Sequence, residues 1–303
     1  MKRYQGKVAV ITGAASGIGY AMAERFVALG MAVVMADVEA PALESAAARL
    51  AQAARGPDES EAASRLLAVP ADVASAASVA ALARAAVARF GTVHLLCNNA
   101  GVGAGALDER PIWDVDPTDW QWAVDINVTG VLNGLRAFMP ILRPHGANAH
   151  IINTASRAGL LSAWGVYAVT KHAVVAISET LAAQIACVGA GVGVSVLCPG
   201  SVATNLAASA RKRPSASAPA AASADDFMAR ASERLRARIA QGRTPAFVVD
   251  RLIDGLARGD FYIFVEDEDA AIGARFDNIR ARRAPQPPAI AVGTAAGAMP
   301  GEL

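Results

Sequence analysis

The chain has 303 residues, 54% of them hydrophobic and only 5% aromatic, enough small aliphatic material for the core of one large α/β domain. A formal net charge of +1 excludes a general field that would draw in nucleic acid or an anionic membrane. No stretch approaches the ~18 uninterrupted apolar residues of a membrane span.

Lys7 to Thr12 is a short β-branched run of the kind buried on both faces of a sheet. Gly13-Ala-Ala-Ser16-Gly17-Ile18-Gly19 follows, and an apolar helix then runs to Gly30. Ala32 to Ala36 reads as a second buried strand closed by Asp37, and an Ala-rich helix extends to about Arg55. Beyond a surface loop, Gly56-Pro-Asp-Glu-Ser, come a third strand (Leu66 to Val69), the pair Asp72-Val73 and a helix to Phe90 that Gly91 breaks. Val93 to Cys97 is the fourth strand, ended by Asn98-Asn99-Ala100-Gly101. A long connection carrying Trp113, Trp120 and Trp122 leads into a helix expected to be capped by Thr118 or Asp119 and to run to about Pro140, with Asn127 inside it.

His150 opens a buried strand, then a small-residue loop through Ser156 and Gly159, then a helix holding Tyr167 and Lys171 and ending near Gly189. Val192 to Leu197 is a sixth strand, closed by Cys198-Pro199-Gly200. Residues 207–224, rich in Ala, Ser and Pro, break the pattern and read as a lid, within a wider lid segment at about 205–243; Asp225 to Gln241 is expected to be an amphipathic helix. The next helix is well punctuated, with Thr244 as cap, Pro245 at its first position and Gly259 at its end. Phe261 to Val265 is the last strand, and the Pro-, Gly- and Ala-rich end from about residue 284 is expected to be disordered. Strand–helix alternation at this spacing predicts an α/β fold: a Rossmann-like doubly wound parallel sheet of about seven strands, helices on both faces, in a single domain over 1–283. Its ligand belongs outside the carboxyl ends of the strands.

Three chemical features fall at those ends. The glycines of Gly13-x-x-x-Gly17-x-Gly19 give a tight turn that lets backbone approach a pyrophosphate, with a helix N-terminus aimed at it. Asp37 ends the second strand, where a carboxylate accepts from adenosine ribose hydroxyls. The same carboxylate repels a 2′-phosphate and Val38 supplies no cation, so NAD is expected, with NADP the less favoured cofactor. Tyr167 and Lys171, four apart, share one helix face. A cation at ~4 Å and an effective dielectric of ~20 is worth ~4 kcal/mol, enough to lower a phenol of pKa about 10 by up to ~3 units. A hydroxyl so tuned exchanges protons near neutrality.

Taken together these motifs resemble the short-chain dehydrogenase/reductase family, in its compact single-domain branch, over roughly residues 5 to 265. The resemblance makes Thr12-Gly13-x-x-x-Gly17-x-Gly19 the cofactor turn, with Ser16 and Ile18 inside it. It makes Asp72-Val73 the adenine contact and Asn98-Asn99-Ala100-Gly101 the stretch that steadies the sheet beside the cofactor. Pro199-Gly200 with Val202 and Thr204 becomes the segment facing the nicotinamide amide. Asn127, Ser156, Tyr167 and Lys171 match the catalytic four. Tyr167 is then the proton donor or acceptor, Lys171 its tuner and the holder of the nicotinamide ribose, Ser156 the partner of the substrate oxygen, and Asn127 the holder of a relay water in a distorted helix. Eleven residue steps separate Ser156 from Tyr167, two fewer than the family usually has. By count Thr154 would take the serine place; by context, with Gly159 three residues on, Ser156 fits better. Trp164, Leu160 and Leu161 either line an apolar pocket there or pack the loop.

The activity implied is hydride transfer between a nicotinamide and a secondary alcohol or ketone. The alternatives are a non-catalytic dinucleotide-binding regulator and a sugar-nucleotide epimerase or dehydratase on the same fold. Cys97, Cys187 and Cys198 show no paired spacing and no secretory leader is recognisable, so a cytoplasmic setting is expected. The histidines at 94, 145, 150 and 172 form no ligand set, so no metal is expected. Arg211-Lys212-Arg213 and the group Arg280, Arg282 and Arg283 read as solvated surface, not a nucleic-acid patch. The helix from Val166 to Val188 is apolar nearly all round, so a second subunit is expected to cover it, giving a homodimer or homotetramer through the 119–140 and 166–188 helices.

Overall fold

A computed structural model describes residues 4–53, 64–103, 112–163, 165–206, 209, 237, 239–266 and 269–285. The elements in chain order are β1 (Val8–Thr12), α1 (Gly17–Ala28), β2 (Ala32–Asp37), α2 (Ala40–Ala53), β3 (Leu66–Pro70), α3 (Ala76–Phe90) and β4 (Leu95–Asn98). They continue with α4 (Pro117–Val124), a π turn (Asp125–Thr129), α5 (Gly130–Leu142), β5 (His150–Thr154), α6 (Gly165–Cys187), β6 (Gly193–Cys198), α7 (Pro245–Arg258), β7 (Tyr262–Phe264) and α8 (Asp269–Arg280).

Seven strands form one parallel sheet in the order β3-β2-β1-β4-β5-β6-β7. The chain winds outward from β1 to β3, then returns to start β4 on the other side of β1. That reversal leaves a crevice above the carboxyl ends of β1 and β4, where Thr12 and Asn98 sit. One face of the sheet is packed by Met22 and Phe26 of α1, Leu43 and Leu50 of α2, and Val248, Leu252 and Leu256 of α7. The other is packed by Leu82 of α3, Leu135 and Phe138 of α5, and Val174 and Ile185 of α6. Burying each such large side chain is worth about 1.5–3 kcal/mol. With both faces covered, the strands read as continuous apolar runs.

Local signals set several boundaries. Ser75 accepts from Ser78 N–H to start α3, and Gly91 ends it with φ 79°. Thr244 accepts from Phe247 N–H ahead of Pro245, and Gly259 closes α7 at φ 81°. At α4 the expected cap is displaced. Asp116, neither Thr118 nor Asp119, caps this helix, accepting from Thr118 N–H at 2.7 Å, and Pro117 takes the first position. Asp119 is instead 4% exposed, inside the helix. The single helix expected from there to about Pro140 is divided by the π turn and runs on to Leu142, with Pro140 inside it. The last strand is shorter than expected, and α8 was not foreseen. The loop at 56–60, nearly all of 207–224, most of 225–241, Trp164 and the tail from 286 lie outside the described residues.

At the amino edge of the sheet, His94 Nδ1 accepts from Val8 N–H at 3.2 Å. Its ring lies 4.6 Å from that of His145. Burial, His145 and Lys7 together lower its pKa below the usual histidine value. Among the described residues no group of three or more His, Cys, Asp or Glu could hold a metal ion, and no helix is long and apolar enough to cross a membrane.

Candidate active site

The glycine turn sits at the carboxyl end of β1. Gly13 has φ 67°, and a side chain there would meet Ala100 Cα at 2.8 Å, so the turn and the segment after β4 are in backbone contact. Gly19 rides directly on the Gly13 carbonyl in the first turn of α1. α1 begins at Ser16 without a side-chain cap. Its first-turn N–H groups and dipole therefore face the crevice as an anion cradle. Asp37 stands beside it: Oδ2 accepts from Ala15 N–H and Oδ1 from Glu39 N–H, both at 3.1 Å.

A polar web ties β1, β4 and β5 together. Thr12 Oγ1 donates to Cys97 O at 3.3 Å and accepts from the N–H groups of Asn99 and Ala100, each at 3.0 Å. Asn99 Nδ2 donates to Thr12 O at 3.0 Å, and Asn99 Oδ1 accepts from Thr154 Oγ1 at 3.3 Å. Asp72 Oδ1 accepts from Ala74 N–H at 2.9 Å, while Val73 is buried and its carbonyl accepts from Asn133 Nδ2 at 2.9 Å. Across the crevice, the Thr204 methyl lies near Gly17, where a side chain would meet it at 3.2 Å. Beyond β6, Arg243 N–H donates to Ser201 O and Ala203 N–H donates to Arg243 O, each at 3.0 Å, bridging Val202 to Arg243. The Glu266 carboxylate reaches the Gly200 backbone, where a side chain would meet it at 2.7 Å, and pairs with Arg243 at 3.6 Å.

Ser156 is held by the continuation of the β5–β6 ladder: Ala155 N–H donates to Leu197 O at 2.8 Å and Arg157 N–H to Pro199 O at 2.9 Å. Its hydroxyl donates to Pro199 O at 3.4 Å and accepts from Ala158 N–H at 3.1 Å, and it lies close enough to the hydroxyl of the half-buried Tyr167 to pull that phenol's pKa downward. Thr154, the competing residue by count, turns its hydroxyl the other way, to Asn99. The loop two residues shorter thus still brings Ser156 to Tyr167. Leu160 packs on the core beside α5 and α6, and Leu161 is half-buried. Lys171 is 4% exposed and donates to Thr154 O at 2.9 Å, with Nζ 5.6 Å from the Tyr167 ring centre. Asn127, 1% exposed in the π turn, accepts from Val102 N–H at 2.8 Å and donates to Val102 O at 2.9 Å. Gly101 lies between the two; a side chain there would come 3.1 Å from Asn127 Oδ1 and 3.3 Å from Lys171 Nζ.

The electrostatics depart from the expectation. Burial pushes the Tyr167 phenol up to about 12; the neighbouring Ser156 hydroxyl works downward but does not offset it. Burial also pulls the Lys171 ammonium down to about 8. The lowering of Tyr167 by a neighbouring cation is therefore not seen in the protein alone. The ammonium is spent on Thr154 O, and the same low dielectric that would amplify its pull disfavours both charged forms. Sequence reasoning also left out two neighbours. Cys198, at the end of β6, has its thiol close enough to Tyr167 and Lys171 to interact with both, and burial raises it to about 12. Thr170 accepts from Asn127 Nδ2 at 3.0 Å; its place between Tyr167 and Lys171 was the available signal.

An uncapped helix N-terminus behind a glycine turn, a carboxylate at the end of β2 and a half-buried Tyr one turn from a buried Lys fit a dinucleotide and define a nucleotide-binding oxidoreductase on a Rossmann-like fold. A family model described as short chain dehydrogenase matches residues 7–215. The chain belongs to that family. It is 40% identical over 204 residues to 1-deoxy-11-beta-hydroxypentalenate dehydrogenase of Streptomyces exfoliatus, covering 67% of this chain and 70% of that protein. It is 32% identical over 209 residues to 3beta-hydroxysteroid dehydrogenase 2 of Eggerthella lenta, covering 68% and 75%. A short chain dehydrogenase/reductase from Burkholderia phymatum, solved in complex with NAD, is similar with a TM-score of 0.84 and 39% identity over 95% of this chain and 99% of that one.

Proposed function

We propose that the protein is an NAD-dependent dehydrogenase or reductase that interconverts an apolar secondary alcohol and its ketone. The observation that carries this is the placement of the Ser156 hydroxyl beside the Tyr167 phenol, one helical turn from the buried Lys171. Ser156 holds the substrate oxygen and Tyr167 takes its proton on oxidation or returns it on reduction. Lys171 stabilises the phenolate as it forms and binds the nicotinamide ribose, and Asn127 supports the proton path. When bound, the cofactor accepts or donates the hydride at the substrate carbon.

The glycine turn and the first turn of α1, from Gly13 through Ser16, Gly17, Ile18 and Gly19, hold the pyrophosphate. Asp37 holds the adenosine ribose, and Asp72 and Val73 flank the adenine. Asn99, Ala100 and Gly101 run beside the nicotinamide half, and Pro199, Gly200, Val202 and Thr204 face its amide. Asp37, with Val38 beside it, favours NAD over NADP. Relatives that act as hydroxysteroid and hydroxypentalenate dehydrogenases support an apolar alcohol. So do the half-buried Leu161 and Leu206 on the loops that follow Ser156 and Thr204. Assembly as a homodimer or homotetramer through the 119–140 and 166–188 helices is supported by Val169, 44% exposed on α6.

Tyr167→Phe tests the reading. It is expected to abolish NADH-linked turnover of secondary alcohols and ketones while leaving NADH binding nearly intact. An unchanged rate would refute it. A screen following NADH absorbance over secondary alcohols, steroids, sugars and 3-oxoacyl thioesters identifies the substrate.

A further inference from the structure

We infer that Thr170 is a positioning residue that sets where Tyr167 stands, acting through a buried hydrogen-bonded link to Asn127; for what Tyr167 does, this rests on the dehydrogenase reading above. Thr170 lies on α6 between the tyrosine and the lysine and is 1% exposed. Its hydroxyl donates to Tyr167 O at 2.8 Å and accepts from Asn127 Nδ2 at 3.0 Å. The other N–H of that amide donates to Val102 O at 2.9 Å, and the amide oxygen accepts from Val102 N–H at 2.8 Å.

One continuous chain therefore runs from the Tyr167 carbonyl through Thr170 and Asn127 to Val102. It joins three separate elements: the helix that carries the tyrosine, the π turn, and the loop after β4. Both amide hydrogens and the oxygen of Asn127 are engaged in it. A hydroxyl that bonds back to its own helix carbonyl perturbs the helix locally, so Thr170 shapes the turn on which Tyr167 stands. Gly101, next to Val102, fits between Asn127 Oδ1 and Lys171 Nζ, and a side chain there would press on both. A displaced Asn127 is thus felt by the lysine as well.

α6 contains an internal control. Two turns further on, Ser178 Oγ donates to Val174 O at 2.7 Å and accepts from Asn153 Nδ2 at 3.0 Å, and the residue is 0% exposed. Asn153 Oδ1 in turn accepts from Asn98 Nδ2 at 2.9 Å. This link has the same build and burial, but it ends in the sheet and does not touch Tyr167. A purely structural role would make the two hydroxyls interchangeable in their effects.

Thr170→Val keeps the volume and removes the hydroxyl. Its kcat is expected to fall by about 10- to 100-fold, the scale of a misplaced proton-transfer group. Its Kd for NADH, read by fluorescence, stays within about twofold, and Thr170→Ser restores kcat to within about threefold of wild type, because only the hydroxyl is needed. Ser178→Ala lowers the melting temperature by a comparable amount but leaves kcat within about twofold, being distant from the reacting groups. Exchange of the Val102 amide, held by Asn127, speeds up in Thr170→Val and not in Ser178→Ala.

Equal effects of Thr170→Val and Ser178→Ala on kcat, whether both fall or neither does, overturn the inference. So does a Thr170→Ser variant as impaired as the valine. If the valine variant does not fold, Thr170→Ala is compared with Ser178→Ala by the same measurements. Tyr167→Phe, assayed alongside, separates the two levels. Turnover that survives Tyr167→Phe removes the dehydrogenase reading. A Tyr167-dependent enzyme indifferent to loss of the Thr170 hydroxyl removes only this inference.

Discussion

The ammonium of Lys171 donates to the backbone carbonyl of Thr154 at 2.9 Å, across the gap between α6 and the end of β5. A charge so placed has left water for a single carbonyl, and burial lowers its pKa to about 8 from an ordinary 10.5. The unfolded chain keeps this proton up to about pH 10.5 and the folded chain only to about 8, so folding is disfavoured below that window and recovers as pH rises through it. Lys171→Met removes the effect. Wild type should gain stability relative to Lys171→Met between pH 8 and 9.5, read from urea midpoints, while the variant loses about 100-fold or more in turnover. A constant difference across that range would show that the lysine is not buried as described.

Ser156 and Thr154 compete for one role by their distance from Tyr167, and their surroundings separate them. The Ser156 hydroxyl stands beside the Tyr167 phenol, whereas Thr154 bonds to Asn99 at 3.3 Å. Ser156→Ala should lower kcat by about 100-fold, as loss of a group at the reacting oxygen does. Thr154→Val, which keeps the carbonyl that Lys171 uses, should lower it by less than about fivefold. Steady-state rates of the two variants decide the assignment.

Asp37 is fixed by the N–H groups of Ala15 and Glu39, which aims its charge at the glycine turn. Val38, 58% exposed, leaves room for a larger side chain beside it. The double variant Asp37→Ala, Val38→Arg exchanges a carboxylate for a guanidinium. It should weaken NADH binding and strengthen NADPH binding by about 10- to 100-fold, the worth of one or two charge-assisted hydrogen bonds. Paired fluorescence titrations with the two cofactors measure it.

His94 accepts the Val8 amide through Nδ1, so protonating that nitrogen breaks a bond between β1 and the residue leading into β4 and sets a cation beside His145 and Lys7. Its folded pKa lies below 6.5, so the unfolded chain takes up the proton first and stability falls as pH drops through and below 6.5. His94→Asn offers a non-titrating acceptor. The decline in melting temperature between pH 7.5 and 5.5 should be shallower in His94→Asn than in wild type.

Features governed by neighbours in sequence were legible before the structure. Thr244, Pro245 and Gly259 mark both ends of α7 because caps and turns act within a few residues. The strand runs and the glycine turn were visible for the same reason. At α4, Asp116, Thr118 and Asp119 all suit a helix start, and burial of Asp119 settles which one serves. The distortion of the helix at Asn127 was implied by the family resemblance alone, because no neighbour in sequence marks it: the side chain answers to Val102, 25 residues away. The one-turn spacing of Tyr167 and Lys171 was readable. Their depth of burial, and the carbonyl that captures the ammonium, belong to tertiary packing, so the direction of the tyrosine's pKa was not.

The bridge between Val202 and Arg243 closes the base of everything that lies between them in the chain. With the ends already clasped, lengthening the insert costs little, about 0.6 kcal/mol for each doubling. Segments borrowed from other enzymes can therefore be spliced in after Ser209, whose hydroxyl accepts from Gly103 N–H at 2.9 Å, and ahead of Arg243. The proton-handling groups on α6 and in the loop after β5 stay where they are, and a single scaffold becomes a base for catalysts of differing reach.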